Sequence, residues 1–330
     1  MPAAPFIADA HCDLLMELVL RRHEQEPFAR HWLPPLRAGG VRLQVAPVYS
    51  EVEPPRDTVL RRALAQVAAF HRALRENPAD TRSITRASDL ALLADDERIG
   101  LLLSIEGVEP WEADDDLADD FWELGVRMAG LTWNFRNLFA DGVAEPANGG
   151  LSSRGARLVE RLVARGMILD LAHASEQTFR ELLEVSGEGP VLCSHASCRA
   201  VFDAPRNLSD RQLEALAARD GVLGMMPLPF VVDPDDPSIE RFVDHVDHAV
   251  AVMGIEHVVL GGDFFAQVAR AEAELAPASA DEFIPITGLA GPEDYPALVE
   301  VLRRRGYEGA SLAAILGTNL VRFLQRSLPA

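Results

Sequence analysis

Short apolar segments that alternate with longer helical patterns recur along the chain, and this alternation restricts the fold more than any other feature. The segments are nearly continuous in Val, Ile, Leu and Met, as expected for parallel strands that are covered on both faces. The predicted strands are Phe6–Asp13, Val41–Tyr49, Gly100–Gly107, Val126–Trp133, Met167–His173, Val191–Ser197, Val222–Leu228 and His257–Phe264. Since about eight βα units close a TIM barrel, we predict an α/β fold of the (β/α)8 class.

Amphipathic helical patterns lie between these strands. The pattern Thr58–Arg75 repeats its apolar residues at helical spacing, and Pro78 follows its end. The other predicted helices are Ser153–Arg165, Ser175–Val185, Ser209–Arg219, Ile239–Met253, Pro292–Arg304 and Ser311–Gln325, several of which open on a serine that could cap them. An open doubly wound sheet would need a Gly-rich turn after the first strand, where this chain has His11-Cys12-Asp13. We therefore predict that residues 1–330 form a single barrel domain with C-terminal closing helices.

Charge and cysteine content restrict the partners and the location. The chain has 51 acidic and 31 basic side chains and a net charge of -20, so neither nucleic acid nor an anionic membrane surface is an expected partner. Its three cysteines are too few for a disulfide framework, which favours a reducing compartment. The amino terminus lacks the pattern of a signal peptide, and no apolar run reaches the roughly 18 residues of a membrane span. We expect a cytoplasmic protein.

His, Asp and Glu side chains stand at the ends of five predicted strands. In the first strand, the alternation of side chains predicts that Asp9, His11 and Asp13 share one face and that Cys12 points the other way. The other strand-end residues are Glu106, His173, His195 and Asp263. In a barrel, the carboxyl ends of all strands meet at one rim, where barrel active sites are built. These side chains are therefore expected to converge.

Such a set of ionisable groups, withdrawn from water, needs pairing or a metal ion. Imidazole and carboxylate suit zinc and similar divalent ions, and His11 with Asp13 could bind one cation together. Two cations that share a bridging carboxylate and hold a water between them provide a hydroxide nucleophile and a Lewis acid. One histidine at a strand end is more often structural, but the joint occurrence favours a metal site. Asp9 and Asp170 are expected to orient the ligand imidazoles through their N–H groups.

Three further features are interpreted as structural. His245 and His248 are three residues apart on a helix outside the barrel, and we expect a solvated or half-buried face there. Cys193 shares a strand face with a candidate ligand, but a small buried thiol is the simpler interpretation. The acidic run Asp114–Asp120 is interpreted as a solvated face or a helix start.

Short motifs around the candidate site follow one another along the chain. In order, they are Asp-x-His-x-Asp, Ser-Ile-Glu-Gly, Leu-Gly-Val-Arg with Leu-Thr-Trp-Asn, Asp-Leu-Ala-His, Ser-His-Ala-Ser, Arg-Asn-Leu-Ser-Asp, Gly-Gly-Asp-Phe and Gly-Thr-Asn-Leu-Val-Arg-Phe. With these motifs the chain resembles the membrane (renal) dipeptidase family, the M19 metallopeptidases, and in particular its bacterial soluble members. The resemblance extends over essentially the whole chain. It implies an amidohydrolase-like, metal-dependent hydrolase with two zinc ions per chain, other divalent metals being the alternative, and it suggests a homodimer.

The resemblance also assigns the metal ligands. It implies that His11 and Asp13 hold the first zinc, that Glu106 bridges the two ions, and that His173 and His195 hold the second.

Substrate and catalytic roles follow from the same resemblance. Arg206 would bind the C-terminal carboxylate of a dipeptide through its planar guanidinium. Asp263 would be the acid and base that handles the proton of the attacking water and of the leaving amine, so that it and Glu106 are the expected catalytic residues. A surface salt bridge is the structural alternative for Arg206.

Two positions depart from the family pattern. Many members carry His where this chain has Trp133, which is expected to contact substrate but cannot titrate near neutral pH. Phe265 replaces an acid of the family motif, which puts recognition of a substrate amine in question. These departures leave three functions open. The first is hydrolysis, by a metal-bound hydroxide, of dipeptides with an L- or D-residue at the C-terminal position. The second is hydrolysis of N-acyl amino acids, lactones or other amides, and the third is a non-catalytic binding barrel.

Overall fold

Parallel strands form a closed barrel in a computed structural model, which describes residues 6–49, 58–94, 97–276 and 283–330. The strands are Ile7–Asp9 (β1), Val41–Tyr49 (β2), Thr81–Ser83 (β3), Ile99–Glu106 (β4), Val126–Gly130 (β5), Ile168–Asp170 (β6), Val191–Ala196 (β7), Leu223–Met225 (β8) and Val258–Leu260 (β9). All of them except β3 follow one another around the barrel in the order β2-β1-β9-β8-β7-β6-β5-β4, and the pairing of β2 with β4 closes the ring. The predicted (β/α)8 barrel is confirmed.

Strand β3 was not among the predicted strands. It pairs in parallel with Ile99–Leu101 at the start of β4 and lies outside the closed ring. Its sequence, Thr-Arg-Ser, has no apolar residue, so the criterion that identifies the barrel strands fails here. The strand can form because β5 pairs with β4 only from Leu103 onwards, which leaves the start of β4 free to pair with β3.

Helices cover the outside of the barrel. They are Leu14–Leu20 (α1), Pro27–His31 (α2), Leu33–Ala38 (α3), Val59–Glu76 (α4), Ala87–Ala91 (α5), Leu117–Glu123 (α6), Ser153–Arg165 (α7), Glu176–Val185 (α8), Asp210–Ala217 (α9), Pro229–Val232 (α10), Ile239–Met253 (α11), Ala266–Leu275 (α12), Tyr295–Arg304 (α13), Gly309–Ala313 (α14) and Asn319–Ser327 (α15). Single 3-10 turns occur at Leu92–Ala94, Glu109–Trp111, Ile255–His257 and Pro292–Asp294, and a π-helical turn at Ala314–Thr318 joins α14 to α15. Among these helices of the described ranges, none is long and apolar enough to cross a membrane.

Serine caps fix the starts of several helices, as the sequence predicts. Ser175 caps α8 by accepting a hydrogen bond from the backbone N–H of Thr178. Ser209 forms a reciprocal capping box with Gln212 at the start of α9. Each cap satisfies backbone N–H groups that would otherwise lack a partner in the first turn. The predicted start at Ser311 is wrong, because the helix begins two residues earlier, at Gly309.

Small and medium aliphatic side chains fill the barrel interior. The barrel strands and the residues directly flanking them contribute Ala8, Ala10, Leu43, Val45, Leu102, Met128, Ile168, Leu192, Val222 and Val259 to the inner cluster, which side chains of α5 and α15 extend. A larger cluster packs between barrel and helices. Nearer the carboxyl ends of the strands, a Cβ added to Gly224 or Gly261 would lie 1.8 or 2.0 Å from the carbonyl oxygen of Ser194. The barrel interior is thus tightly packed close to the carboxyl ends of its strands.

Candidate metal centre

His11 faces three carboxylates at the mouth of the barrel. Its Nε2 atom lies 3.7 Å from Asp13 Oδ1, 3.5 Å from Glu106 Oε2 and 3.8 Å from Asp263 Oδ1. Burial opposes a charge on the ring, but the carboxylates of Glu106, Asp13 and Asp263 raise the pKa of His11 well above its ordinary value. The three carboxylates that favour a positive charge on His11 would attract a metal cation in the same way.

The other oxygen of Glu106 faces two more histidines. Glu106 Oε1 lies 2.7 Å from His173 Nε2 and 3.5 Å from His195 Nε2. The two Nε2 atoms are 2.8 Å apart. One carboxylate thus stands between His11 on one side and a histidine pair on the other. The structure brings the predicted ligand set together.

The histidine pair presents lone pairs to a common point. Burial lowers the pKa of His173 to about 4 and that of His195 well below its usual range, so both rings are neutral at neutral pH. Nδ1 of His173 donates to the side-chain oxygen of Asn134 at 2.8 Å. Nδ1 of His195 lies 2.7 Å from Ser194 Oγ, whose own proton goes to a carboxylate. With the ring proton on Nδ1, each Nε2 presents a lone pair to a metal ion. With Glu106 Oε1 also present, a divalent cation relieves the repulsion, and the residues fit a metal ion.

Orphaned polar atoms support the same conclusion at His11. Both ring nitrogens of His11, which is 1% exposed, and Asp13 Oδ1 have no hydrogen-bond partner within the described residues. Buried polar side chains nearly always have one. Three overlapping donor groups have ligand atoms within 4.8 Å of one another, namely Glu106–His173–His195, His11–Asp13–Asp263 and His11–Asp170–His195. These groups suit one or two cations.

The first ligands reach the mouth from a loop rather than from a strand. Strand β1 ends at Asp9, and Asp13 is already the residue that precedes α1. The prediction that Asp9, His11 and Asp13 share one face of a strand is therefore wrong. The interior cluster contains Ala8 and Ala10, so Asp9 points outwards, and the chain has turned before it reaches His11.

Two site residues adopt a left-handed backbone conformation. His173 has φ of 63° and Asp263 has φ of 44°, in loops that follow β6 and β9. Such conformations are uncommon for residues other than glycine, cost on the order of 1–3 kcal/mol, and cluster at functional sites. The predicted strands extended too far at these positions, because the apolar runs do not show where the backbone leaves the ladder.

Asp9 holds the backbone that presents His11. Its carboxylate accepts the N–H groups of His11 and Gly262 at 3.0 and 2.9 Å and the hydroxyl of Tyr295 at 2.7 Å. The predicted contact with an imidazole N–H is therefore replaced by contacts with backbone amides. Asp9 fixes the relative position of the loops after β1 and β9.

Asp170 acts on an imidazole through an intermediary. It accepts the backbone N–H of Ser194 at 2.9 Å and the Ser194 hydroxyl, which in turn contacts Nδ1 of His195. Asp170 also lies close enough to His11 and His195 to share a cation with them. It is therefore placed to orient His195.

Arg206 places a buried cation next to this cluster. It lies in the loop between β7 and α9, is 9% exposed, and donates from Nη2 to the carbonyl oxygen of His195 at 3.1 Å. Burial lowers the pKa of Arg206, and anionic neighbours that include Glu106 and Asp263 oppose that shift. No ion pair with it occurs in the described part of the chain. A guanidinium with spare donors suits an anionic ligand.

Aromatic side chains line the mouth beside His173. The ring of Trp133 lies 6.2 Å from that of His173, 5.5 Å from Tyr49 and 6.0 Å from Phe135, which is 49% exposed. At the start of α12, Phe265 packs edge-on against Phe283 at 5.6 Å. We call Tyr49, Trp133 and Phe135 the aromatic wall. It provides an apolar surface within reach of the candidate metal centre.

The histidines of α11 have different surroundings. His245 is fully buried, and its Nδ1 accepts the N–H of Cys198 at 3.0 Å while Nε2 donates to the carbonyl of Val232 at 2.8 Å. The prediction of a solvated or half-buried face is therefore wrong for His245. It holds for His248, which is 25% exposed at its side chain and pairs with Asp210.

The remaining candidates are structural, as predicted. Cys193 is buried in the main core cluster and belongs to none of the donor groups found among the described residues. The acidic run leads into α6, where Arg161 pairs with Asp116 and Asp119 on the surface.

Three residues that contact the site were not predicted. Asn134 and Ser194 directly follow and precede the predicted residues Trp133 and His195, so adjacency in sequence was an available signal. Tyr295 is 286 positions from the Asp9 that it contacts, and no local pattern indicates that pairing.

Known proteins share both the sequence pattern and the fold. A family model described as membrane dipeptidase, peptidase family M19, matches residues 3–327. Dipeptidase verJ of Clonostachys rogersoniana is 31% identical over 268 residues, which cover 80% of this chain and 65% of that protein. A crystal structure of a metallopeptidase from Rhodobacter sphaeroides, liganded with a phosphinate mimic of the dipeptide L-Ala-D-Ala, aligns with a TM-score of 0.85 at 23% identity. That alignment covers 98% of this chain and 99% of the other, and it shows a common fold.

Proposed function

The chain belongs to the membrane dipeptidase family, peptidase family M19, and on this basis we propose that it is a metal-dependent hydrolase that cleaves the peptide bond of dipeptides. The observation that carries the proposal is the convergence of His11, Glu106 and the His173–His195 pair. Within the described residues both ring nitrogens of His11 lack a hydrogen-bond partner, and the Nε2 atoms of the pair lie 2.8 Å apart. Membership in the family makes hydrolysis the first reaction to test.

Two divalent cations, most simply zinc, are the proposed cofactors. His11 and Asp13 would hold one and His173 and His195 the other, with Glu106, which faces both sets of ligands, as a shared residue. When bound, such ions supply a water of lowered pKa and a Lewis acid for the scissile carbonyl. His11 must lose its proton to become a ligand, so binding is expected to release protons.

Asp263 is the proposed acid and base. Burial, together with the nearby Asp13 and Glu106 carboxylates, raises the pKa of Asp263 well above its usual range. A raised pKa makes the carboxylate a stronger base, and it lets the group, once protonated, donate that proton near neutral pH. Its side chain is 15% exposed and 3.8 Å from His11, which places it between solvent and the ligand cluster. Its role is to accept the proton of the attacking water and deliver it to the leaving amine.

Arg206 and the aromatic wall are the proposed substrate contacts. The spare N–H groups of the Arg206 guanidinium would bind the free carboxylate of the substrate, because a fork of donors matches a carboxylate. Trp133 and Tyr49 would pack against an apolar side chain. The Rhodobacter sphaeroides relative holds a mimic with a D-residue, so D-residues at the C-terminal position belong among the substrates to be tested.

Hydrolysis of N-acyl amino acids is the second candidate. The apolar contact between Phe265 and Phe283 favours it, since an apolar surface accommodates an acyl group better than a charged amine. Both candidates share the carboxylate contact at Arg206 and differ only at the amine end of the substrate.

A matched panel separates the two candidates. Purified protein with added zinc is given L,L- and L,D-dipeptides, the same compounds N-acetylated, and the same compounds with a C-terminal amide. We expect cleavage of free dipeptides and a loss of about 100-fold in kcat/KM for the amides, which lack the carboxylate. Faster cleavage of the N-acetylated series would replace the first candidate by the second. No cleavage of any member at high enzyme load would contradict both.

A further inference from the structure

The loop between β5 and α7 holds the backbone of His173. The N–H of Val143 donates to the carbonyl oxygen of His173 at 2.7 Å, and Gly142 forms an antiparallel bridge with Ala174. These contacts act on a residue whose φ is 63°, a conformation that an isolated histidine would seldom adopt. The loop therefore helps to fix this ligand in its position.

The same loop folds back on itself so that Asn134 faces the ring. The N–H of Ala144 donates to the carbonyl oxygen of Asn134 at 2.8 Å. A Cβ at Gly142 would lie 2.3 Å from the carbonyl oxygen of Trp133 and 2.4 Å from the carbonyl carbon of Asn134. Only glycine permits this approach, because the clash would be with backbone atoms. The position of Asn134 is thus set by packing of the loop's main chain.

The side chain of Asn134 meets the ring nitrogen that does not face the cluster. Asn134 Oδ1 lies 2.8 Å from Nδ1 of His173, whereas Nε2 faces Glu106 at 2.7 Å and His195 at 2.8 Å. An acceptor at Nδ1 favours the tautomer with its proton there, which leaves the Nε2 lone pair free for a metal. Such contacts orient ligand imidazoles and increase their basicity.

We propose that Asn134 is a positioning residue for the candidate metal centre: it holds His173 as the Nδ1–H tautomer and thereby sets the affinity of the Glu106–His173–His195 donor group for its cation. This inference rests on the proposed metal centre and deepens it. His195 has its own holder in Ser194, so Asn134 acts on one ligand of one donor group.

Two measurements on metal-free and zinc-titrated protein test the role of Asn134. The variants are Asn134→Ala, which removes the acceptor, and Asn134→Asp, which keeps it. Asn148→Gly is the matched control, since Asn148 belongs to the same loop, is exposed, and accepts the N–H of Gln177 rather than that of a ligand imidazole. Its φ of 46° is one that glycine adopts without strain. Ring 15N chemical shifts of His173 report its tautomer, and competition with a chromophoric chelator reports the affinity for each zinc equivalent.

In the wild type and in Asn134→Asp we expect the Nδ1–H tautomer. In Asn134→Ala we expect a mixture of tautomers and one zinc equivalent bound about 10–100-fold more weakly, with the other unchanged. Asn148→Gly should behave as the wild type. Unchanged tautomer and affinity in Asn134→Ala would overturn the inference, as would equal losses in the Ala and Asp variants. Neither readout uses a peptide, so failure to cleave dipeptides would contradict the proposed function alone.

Discussion

Two buried histidines, His11 at the mouth of the barrel and His245 on α11, show what distinguishes a candidate ligand from a structural residue. They are 1% and 0% exposed, so burial does not separate them. The ring of His245 is satisfied on both sides by Cys198 and Val232, whereas neither ring nitrogen of His11 has a hydrogen-bond partner among the described residues. The hydrogen bonds of His245 are thus supplied by the protein itself, whereas the nitrogens of His11 remain available for a ligand.

Electrostatics differ between the two regions in the same way. Burial lowers the pKa of His245 to about 4, which keeps a structural ring neutral. His11 is equally buried, yet the facing carboxylates raise its pKa well above the ordinary value. A region that draws positive charge into a buried position suits a cation. The two strained backbone positions, His173 and Asp263, also lie at the mouth with His11 rather than near His245.

The largest expected effect follows from Glu106→Gln at the mouth. The amide removes the charge that faces His11 through one oxygen and His173 through the other. We expect loss of bound zinc and a decrease in dipeptide turnover of about 1000-fold or more, since a metal ion stabilises the transition state by several kcal/mol. Elemental analysis and kcat measure the two effects. Full zinc content with normal turnover in this variant would contradict the proposal that Glu106 is a metal ligand.

A smaller effect of a different kind is expected from His245→Leu on α11. The substitution leaves the N–H of Cys198 and the carbonyl of Val232 without partners, which should lower the free energy of unfolding by about 1–3 kcal/mol. Zinc content per folded chain should stay the same. Urea unfolding and elemental analysis check both points. A loss of zinc without a loss of stability would contradict the structural role of His245.

Glu109 is intermediate between His245 and His11, because only one of its two side-chain oxygens has a hydrogen-bond partner. Its substitution is expected to have the smallest effect of the three. One oxygen accepts from Asn137 at 3.0 Å and the other has no partner in the described chain, and burial raises the pKa of this carboxyl to about 7. Because the folded pKa exceeds the ordinary value of 4.5, its contribution to stability is complete below pH 4.5 and is lost as the pH rises through 7. Glu109→Gln should therefore be more stable than the wild type at pH 8, by about 1 kcal/mol after allowance for solvent access, and similar at pH 4.5. Urea midpoints at both pH values measure this. A variant that is less stable at pH 8 would contradict the assigned pKa.

The barrel could be predicted from the sequence because its strands are buried on both faces and therefore appear as continuous apolar runs. Glu106 and His195 are predictable as strand-end residues, since each lies in the last two residues of its strand. Strand β3 was missed because edge pairing with β4 does not require apolar side chains. The turn after Asp9 was missed because residue types do not show where a backbone leaves the ladder.

Contacts between segments that are distant in sequence also could not be predicted from sequence patterns. Its position next to Trp133 marks Asn134 as a neighbour of the site, but it does not show that the side chain reaches His173, because that contact depends on the close packing of the loop around Gly142. The unpartnered atoms of His11 likewise become evident only when all of its neighbours are known.

Metal content per chain is the most direct measurement, made on protein stripped with a chelator, reloaded with zinc and freed of excess ion. We expect close to two equivalents per chain, activity that follows reloading, and no bound zinc in excess of that number. Undiminished hydrolysis by the stripped protein, or less than one equivalent after reloading, would contradict the assignment of His11, Asp13, Glu106, His173 and His195 as ligands of a two-metal centre.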